Sequence, residues 1–366
     1  MKTTTLFFVL ITAFLFLTSE SCNSSSASDN SEKDVTDHEI KNVILMIGDG
    51  MGLTQITAGM YANGNTSPLE KFKILGLHKS YSSDNLITDS AAGATAFSAG
   101  KKTYNGAIGV GADSLPLPSI LEMAIDDGLS TGLVVTCTIT HATPACFFAH
   151  QVSRAMDESI AKDLLNTQPD ILIGGGAKFF TNRTDGFDLK GELESDGYKF
   201  YNKIESIPAS AKDKVICLTD TIYPPKWSDG RGDYLSNGSQ KALEVLSQNE
   251  KGFFLMIEGS QIDWGGHSND SEYIINETKD FFKAVDLVYE FARQNGNTLV
   301  IITADHETGG YAINGGTQER LETAFTTNQH TGVMIPVFAY GPGAETFGGI
   351  YENTAIFDKM KDALGF

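Results

Sequence analysis

Six short runs of nearly continuous apolar residues punctuate this chain: Asn42–Ile47, Leu133–Ile139, Ile171–Ile173, Phe253–Ile257, Leu299–Ile302 and Val337–Tyr340. A strand with one wet face alternates apolar and polar residues. Runs without that alternation belong to strands covered on both faces, as in parallel sheets. Helical patterns lie between them. Asp89–Lys101 is rich in Ala with Asp89 as a candidate N-cap, and Ser119–Asp127 is short and amphipathic. Ser271–Asn295 carries Ile274, Phe281, Phe282, Val285, Val288 and Ala292 at helical spacing. This order predicts an α/β fold, doubly wound, with a mostly parallel central sheet and helices on both faces. The stretch Ala177–Asp233 is polar and reads as an irregular inserted subregion; no internal repeat is present.

The N-terminus is of a different kind. Lys2 precedes an apolar run, Leu6–Leu17, too short to span a bilayer and placed where a secretory signal belongs. Residues 1–21 are therefore expected to be a signal peptide, and 22–38, rich in Ser and without periodicity, a flexible tether. Cys22 lies between the two. It is either a lipid-attachment site, the one expected route to a membrane, or a bystander to ordinary cleavage, since Ser19-Glu20-Ser21 matches a lipobox poorly. The protein is expected to be exported, and residues 39–366 to form one catalytic domain. Cys137, Cys146 and Cys217 form no disulfide framework and read as buried thiols. A formal net charge of -19 argues against a nucleic-acid-binding surface. Any attraction for an anion must come from local cations.

Ligands of open α/β sheets bind beyond the carboxyl ends of the strands. Four runs lead there into polar residues: Gly48-Asp49-Gly50, Thr140-His141-Ala142-Thr143-Pro144, Glu258, and Thr303-Ala304-Asp305-His306. Asp263 and His267 are four residues apart, on one face if helical, and a carboxylate with an imidazole makes a good zinc pair. His330, in Gln329-His330-Thr331-Gly332, is the remaining candidate imidazole. Imidazole with carboxylate suits zinc, and all-oxygen ligation suits magnesium. Ser90, in Thr88-Asp89-Ser90-Ala91-Ala92-Gly93, opens the Ala-rich helix. It is either a nucleophile facing that helix's N-terminus or part of an ordinary cap. A serine hydroxyl needs metal coordination or a base to attack at neutral pH. Arg154 could clamp a phosphoryl group bidentately. Gly174-Gly175-Gly176 could cradle phosphate or simply turn the chain, and His38 and His78 have no evident partners.

These motifs, in this order and spanning about Asn42 to Gly343, resemble the alkaline phosphatases. The resemblance implies a serine phosphomonoesterase with two Zn2+ and one Mg2+ per subunit, acting on small phosphate monoesters of broad range. Asp263, His267 and His330 would hold the first zinc; Asp49, Asp305 and His306 the second, joined by Ser90; Asp49, Thr143 and Glu258 the magnesium. Arg154, oriented by Asp89, would bind the phosphoryl oxygens. His141 and Trp264 stand beside these groups where the enterobacterial pattern has Asp and Lys, a combination similar to the marine bacterial branch. His306 and His330 are only 24 residues apart, so the crown insertion of larger members is minimal here. The resemblance raises a homodimer, for which so small a crown leaves less surface. A sulfatase would need x-Pro-x-Arg after the nucleophile, and Ser90-Ala91-Ala92-Gly93 lacks it. Diesterases of the nucleotide pyrophosphatase type usually carry Thr as nucleophile and lack the magnesium set and the Arg. A non-catalytic binding protein would show a broken ligand set, and none of the expected ligands is missing.

Overall fold

The structure, a computed structural model, describes residues 39–366. The expected signal peptide and tether, with Cys22 and His38, lie outside the described residues. Strands β1 (Asn42–Gly48), β2 (Ile74–Lys79), β3 (Ser130–Thr138), β4 (Ile171–Gly175), β5 (Tyr198–Tyr201), β6 (Lys214–Leu218), β7 (Phe253–Gly259) and β8 (Thr298–Thr303) come first along the chain. The short β9 (Glu307–Thr308), β10 (Tyr311–Gly316), β11 (Leu321–Phe325) and β12 (His330–Thr331) follow, then β13 (Ile335–Tyr340) and β14 (Gly349–Glu352). Ten of these build one sheet in the order β14-β2-β13-β8-β1-β7-β3-β4-β6-β5.

Alternate residues of β1 supply two separate cores. Val43, Leu45 and Ile47 face Phe97, Leu121, Leu164 and Phe357, from helices Ser90–Ala99, Ile120–Asp126, Asp157–Thr167 and Ala355–Leu364. Ile44 and Met46 face Leu243, Phe281 and Val285, from helices Tyr234–Leu246 and Ser271–Asn295. Both sheet faces are thus dry, as the unbroken apolar runs require. Each large side chain fully buried there contributes roughly 1.5–3 kcal/mol.

Two expectations are corrected. Val337–Tyr340 was expected to run parallel with the rest; β13 instead pairs antiparallel with both β8 and β2. A parallel return needs a crossover to the opposite end of the sheet. The chain between β8 and β13 makes none: it forms only β9 to β12, the β10–β11 hairpin being the small crown. Residues 177–233 are not an irregular insertion either. They add β5 and β6 in parallel to the β4 edge, with short helices Lys178–Thr181 and Leu189–Ser195.

The end of that same segment is fixed to the long helix by buried charge. Arg231 Nη2 donates to Glu277 and, at 3.0 Å, to Asp280, while Nη1 donates to the Pro225 carbonyl at 3.1 Å. Glu277 also accepts the Trp227 N–H at 2.8 Å. Burial raises the pKa of both carboxylates, and Arg231 opposes that rise. Arg231→Ala would strand two buried carboxylates at a cost of roughly 3–5 kcal/mol. Urea unfolding is expected to show that loss, and one below about 1 kcal/mol would make the triad dispensable.

Candidate functional site

The four strands that end in candidate ligands are consecutive in the sheet: β8, β1, β7, β3. Their register is level. Ile47 lies opposite both Glu258 and Thr303, Gly48 opposite Gly259, and Val135 opposite Glu258. Neighbouring strands are about 4.8 Å apart, so Asp49 just past β1, Glu258 next to last in β7 and Asp305 two residues past β8 come to the same end of the sheet. Two glycines permit the approach. A Cβ on Gly50, whose φ is +70°, would come within 2.8 Å of Asp263 Cα. A Cβ on Gly93 would lie 3.1 Å from Asp305 Cβ, so the Ser90 helix can seat directly on that strand end.

Three groups of ligand atoms result, each within 4.8 Å: Asp263 with His267 and His330; Asp49 with Asp305 and His306; and Glu258 with His141 and Cys137. The helix Gln261–His267 presents Asp263 and His267 on one face, with His267 Nε2 3.3 Å from Asp263 Oδ2. β12 pairs with β9, which sets His330 opposite Thr308 and stacks its ring on His306 at 3.5 Å. His267 Nδ1 donates to the Asn328 carbonyl at 2.7 Å, and His330 Nδ1 to the Thr88 carbonyl at 2.9 Å. Those bonds leave the two Nε2 atoms facing each other at 3.1 Å. Two imidazole lone pairs so placed call for a cation or a proton between them.

The other two groups make the same demand. Asp49 Oδ1 and Oδ2, Glu258 Oε1 and His141 Nδ1 are buried and have no hydrogen-bond partner. Such orphaned atoms cost about 1–3 kcal/mol each, more where charged. Burial, then Asp305, Asp263 and Glu258, raises the Asp49 pKa well above the usual carboxylate range. Burial pushes Glu258 up to about 7. Asp263 is buried too, but His267, His306 and His330 hold it low. Burial and then Arg154 lower His141 to about 3, and burial and then His306 lower His330 to about 4, so both imidazoles are neutral donors. The residues therefore fit divalent cations: two sets of imidazole with carboxylate, and a third around Glu258. In that third group Thr143 lies beside Glu258, and His141 and the Cys137 thiol converge there as well.

Ser90 Oγ is buried at the first turn of its helix, 3.3 Å from His306 Nε2. Asp89 caps that helix through the Ala92 N–H at 3.0 Å and accepts Arg154 Nη1 at 2.9 Å. His141 Nε2 lies 3.5 Å from Arg154 Nη2, and Trp264 packs edge-on against His141 and Tyr223. Other flagged residues have structural duties. His78 Nε2 donates to the Ala304 carbonyl at 2.9 Å, beneath Asp305. A Cβ on Gly175 would meet the Ile222 carbonyl at 2.1 Å, so that glycine serves close packing. Cys137, Cys146 and Cys217 are buried and free.

Sequence reasoning missed Glu307 and Thr308. Thr308 Oγ1 donates to Asp263 Oδ1 at 2.5 Å and lies 3.2 Å from His306 Nδ1, joining the two histidine-containing groups. Glu307 accepts from Gln55 at 2.7 Å, from the Tyr311 N–H at 3.0 Å, and from Thr331 beside His330. Their only signal was position, directly after Asp305-His306.

Known proteins share this arrangement of strands. A family model described as alkaline phosphatase matches residues 40–320 and 315–366. Alkaline phosphatase 3 of Bacillus subtilis is 34% identical, over 97% of this chain and 95% of its own length. The Escherichia coli alkaline phosphatase is also 34% identical, over 90% and 87%. The solved alkaline phosphatase from the Antarctic bacterium TAB5 superposes with a TM-score of 0.87 at 43% identity, over 90% of this chain and 98% of that one. The fold is thus that of a known class of hydrolases. The chain belongs to the alkaline phosphatase family and is a phosphatase enzyme.

Removing metal should expose the carboxylate repulsion. In metal-free protein Glu258 has a folded pKa of about 7 against an ordinary 4.5. The folded state then keeps a proton that the unfolded chain gives up, so stability is lost as pH rises through that window. The loss is on the order of 3 kcal/mol. Chelated protein is expected to melt at lower temperature at pH 8 than at pH 5.5. Glu258→Gln should shrink the difference, and added zinc and magnesium should raise the midpoint at both pH values. Identical pH dependence in Glu258→Gln would remove Glu258 as the cause.

Proposed function

We propose that this phosphatase hydrolyses phosphate monoesters of broad range through a phosphoserine on Ser90, releasing inorganic phosphate and an alcohol. The observation that carries the reading is Ser90 Oγ at a helix N-terminus, against His306 and beside the Asp89–Arg154 pair. Asp263, His267 and His330 would hold one Zn2+, and Asp49, Asp305 and His306 a second. Glu258, Thr143 and Asp49 would hold Mg2+, with His141 adjoining. Relatives support metal use: a histidine-to-aspartate variant of the TAB5 enzyme is described with Mg bound in its M3 site. When bound, such ions supply Lewis-acid stabilisation of phosphoryl and leaving-group charge and favour the ionised serine and water.

The chain's own residues do the rest. Arg154 grips two non-bridging oxygens through its planar fork, and Asp89 holds the fork in place. The free N–H groups of the Ser90 helix face the same anion. Ser90 Oγ, its proton passed to water, forms the bond to phosphorus as the bond to the alcohol oxygen breaks on the opposite side and that oxygen takes up a proton from water. Water then attacks the phosphoserine from the side the alcohol left, freeing phosphate and restoring Ser90. The positive sites are local, so a net charge of -19 does not oppose binding.

The charge and hydropathy pattern of residues 1–21 supports reading them as an export signal ahead of a catalytic domain at 39–366. The mass of the mature N-terminus decides whether Cys22 carries lipid.

Ser90→Ala is expected to lower kcat on an aryl phosphate monoester at least about a thousandfold. The wild-type enzyme should strongly prefer that monoester over the matching diester, and chelation should abolish turnover. Full activity in Ser90→Ala would rule out the serine path. A second test concerns Trp264, which sets an uncharged indole against His141, itself 3.5 Å from Arg154. Trp264→Lys should tighten inhibition by inorganic phosphate roughly tenfold and slow turnover where release limits it. An unchanged inhibition constant would remove Trp264 from phosphate handling.

A further inference from the structure

We propose that Asn105 is a positioning residue that sets Asp89 and Arg154 in register for gripping phosphate. The inference rests on the reading of Arg154 given above. Asn105 lies in the turn after the Ser90 helix, in Thr103-Tyr104-Asn105-Gly106. Its Oδ1 accepts the Asp89 N–H at 3.0 Å, and its Nδ2 donates to the Ile87 carbonyl at 3.0 Å. One carboxamide thus pairs with the backbone on both sides of Thr88, as a neighbouring strand would. From the other flank, His330 Nδ1 donates to the Thr88 carbonyl at 2.9 Å. The three residues leading into Ser90 are therefore held from two directions.

The next residue extends the clamp to the arginine. Gly106 O accepts the Arg154 backbone N–H at 2.8 Å, while Asp89 holds the Arg154 guanidinium at 2.9 Å. Arg154 is held at its main chain by one end of this turn and at its tip by Asp89, and Asn105 joins the two. The ring closes through Asn105, Asp89, Arg154 and Gly106. The turn itself is anchored, since the Asn105 N–H donates to Asp84 Oδ1 at 3.2 Å and Ser82 Oγ to the same oxygen at 2.9 Å. The residue type is constrained by this setting. A donor and an acceptor are both needed on one short neutral group. Aspartate would lose the donor and add charge beside Asp84 and Asp89, and alanine would lose both bonds.

The test is a double-mutant cycle on metal-loaded enzyme: Asn105→Ala, Arg154→Ala and the pair. It reads the inhibition constant of inorganic phosphate and the KM and kcat for an aryl phosphate, with thermal melting as a folding control. Asn105→Ala should weaken phosphate binding roughly tenfold, because a misplaced Asp89 no longer holds the Arg154 fork in its gripping geometry. In the Arg154→Ala background it should add less than about twofold, because the group it positions is gone. If the alanine variant does not fold, Asn105→Asp, which keeps the acceptor, is put through the same cycle. Additive effects, or unchanged phosphate binding in the Asn105 variant alone, overturn the inference and leave the role of Arg154 standing. Unchanged phosphate binding in Arg154→Ala overturns that role and this inference together.

Discussion

Everything in this structure answers to one electrostatic problem: Asp49, Glu258, Asp263 and Asp305 are all buried at one edge of one sheet. Inside a protein such charges repel far more strongly than in water. Burial and mutual repulsion raise Asp49 and Glu258, whereas neighbouring imidazoles hold Asp263 and Asp305 down. A site of this kind is unfavourable by itself and becomes favourable around cations. The surrounding packing keeps it from relaxing. Both sheet faces are filled with apolar side chains, and the strands that deliver the acids are interior ones with a neighbour on each side. The carboxylates can escape neither to solvent nor from one another.

Legibility in the sequence followed how local each signal is. Unbroken apolar runs identified β1, β4, β7 and β8 because burial on both faces is written into every residue of such a strand. The spacing of Asp263 and His267 carried over because a helix fixes it. Ser90 and Asp89 could be placed because a helix start has its own chemistry. What escaped depends on partners far along the chain. Asn105, Glu307 and Thr308 are ordinary polar residues until the fold brings Asp89, Gln55 and Asp263 to them. Cys137 read as an inert thiol, yet β3 carries it to within 3.4 Å of Glu258. β13 has the composition of a parallel strand, and only the route of the chain before it decides its direction. β5 hid because an edge can be built from a short strand such as Tyr198–Tyr201, only part of which is buried.

The neighbourhood of His141 and Trp264 illustrates how one metal frame can be tuned. The ligand groups are fixed by strand ends that cannot shift without unpairing the sheet. The loop residues around His141 are not so constrained. Trp264 lies on Tyr223, which comes from the loop after β6, and on His141, which comes from the loop after β3.

The position of β1 has a further consequence. It lies between β7 and β8, pairing Asn42 with Phe253 on one side and with Thr298 on the other. The first strand of the sheet therefore has no partners until about three-quarters of the polypeptide has been made, and His330 arrives later still. During synthesis β1 is an apolar segment with both edges open, the state most prone to wrong pairing. Contacts between such distant parts of a chain also form slowly. The group of Asp263, His267 and His330 closes only once His330 has been made, after Glu258 with His141 and Cys137 and after Asp49 with Asp305 and His306.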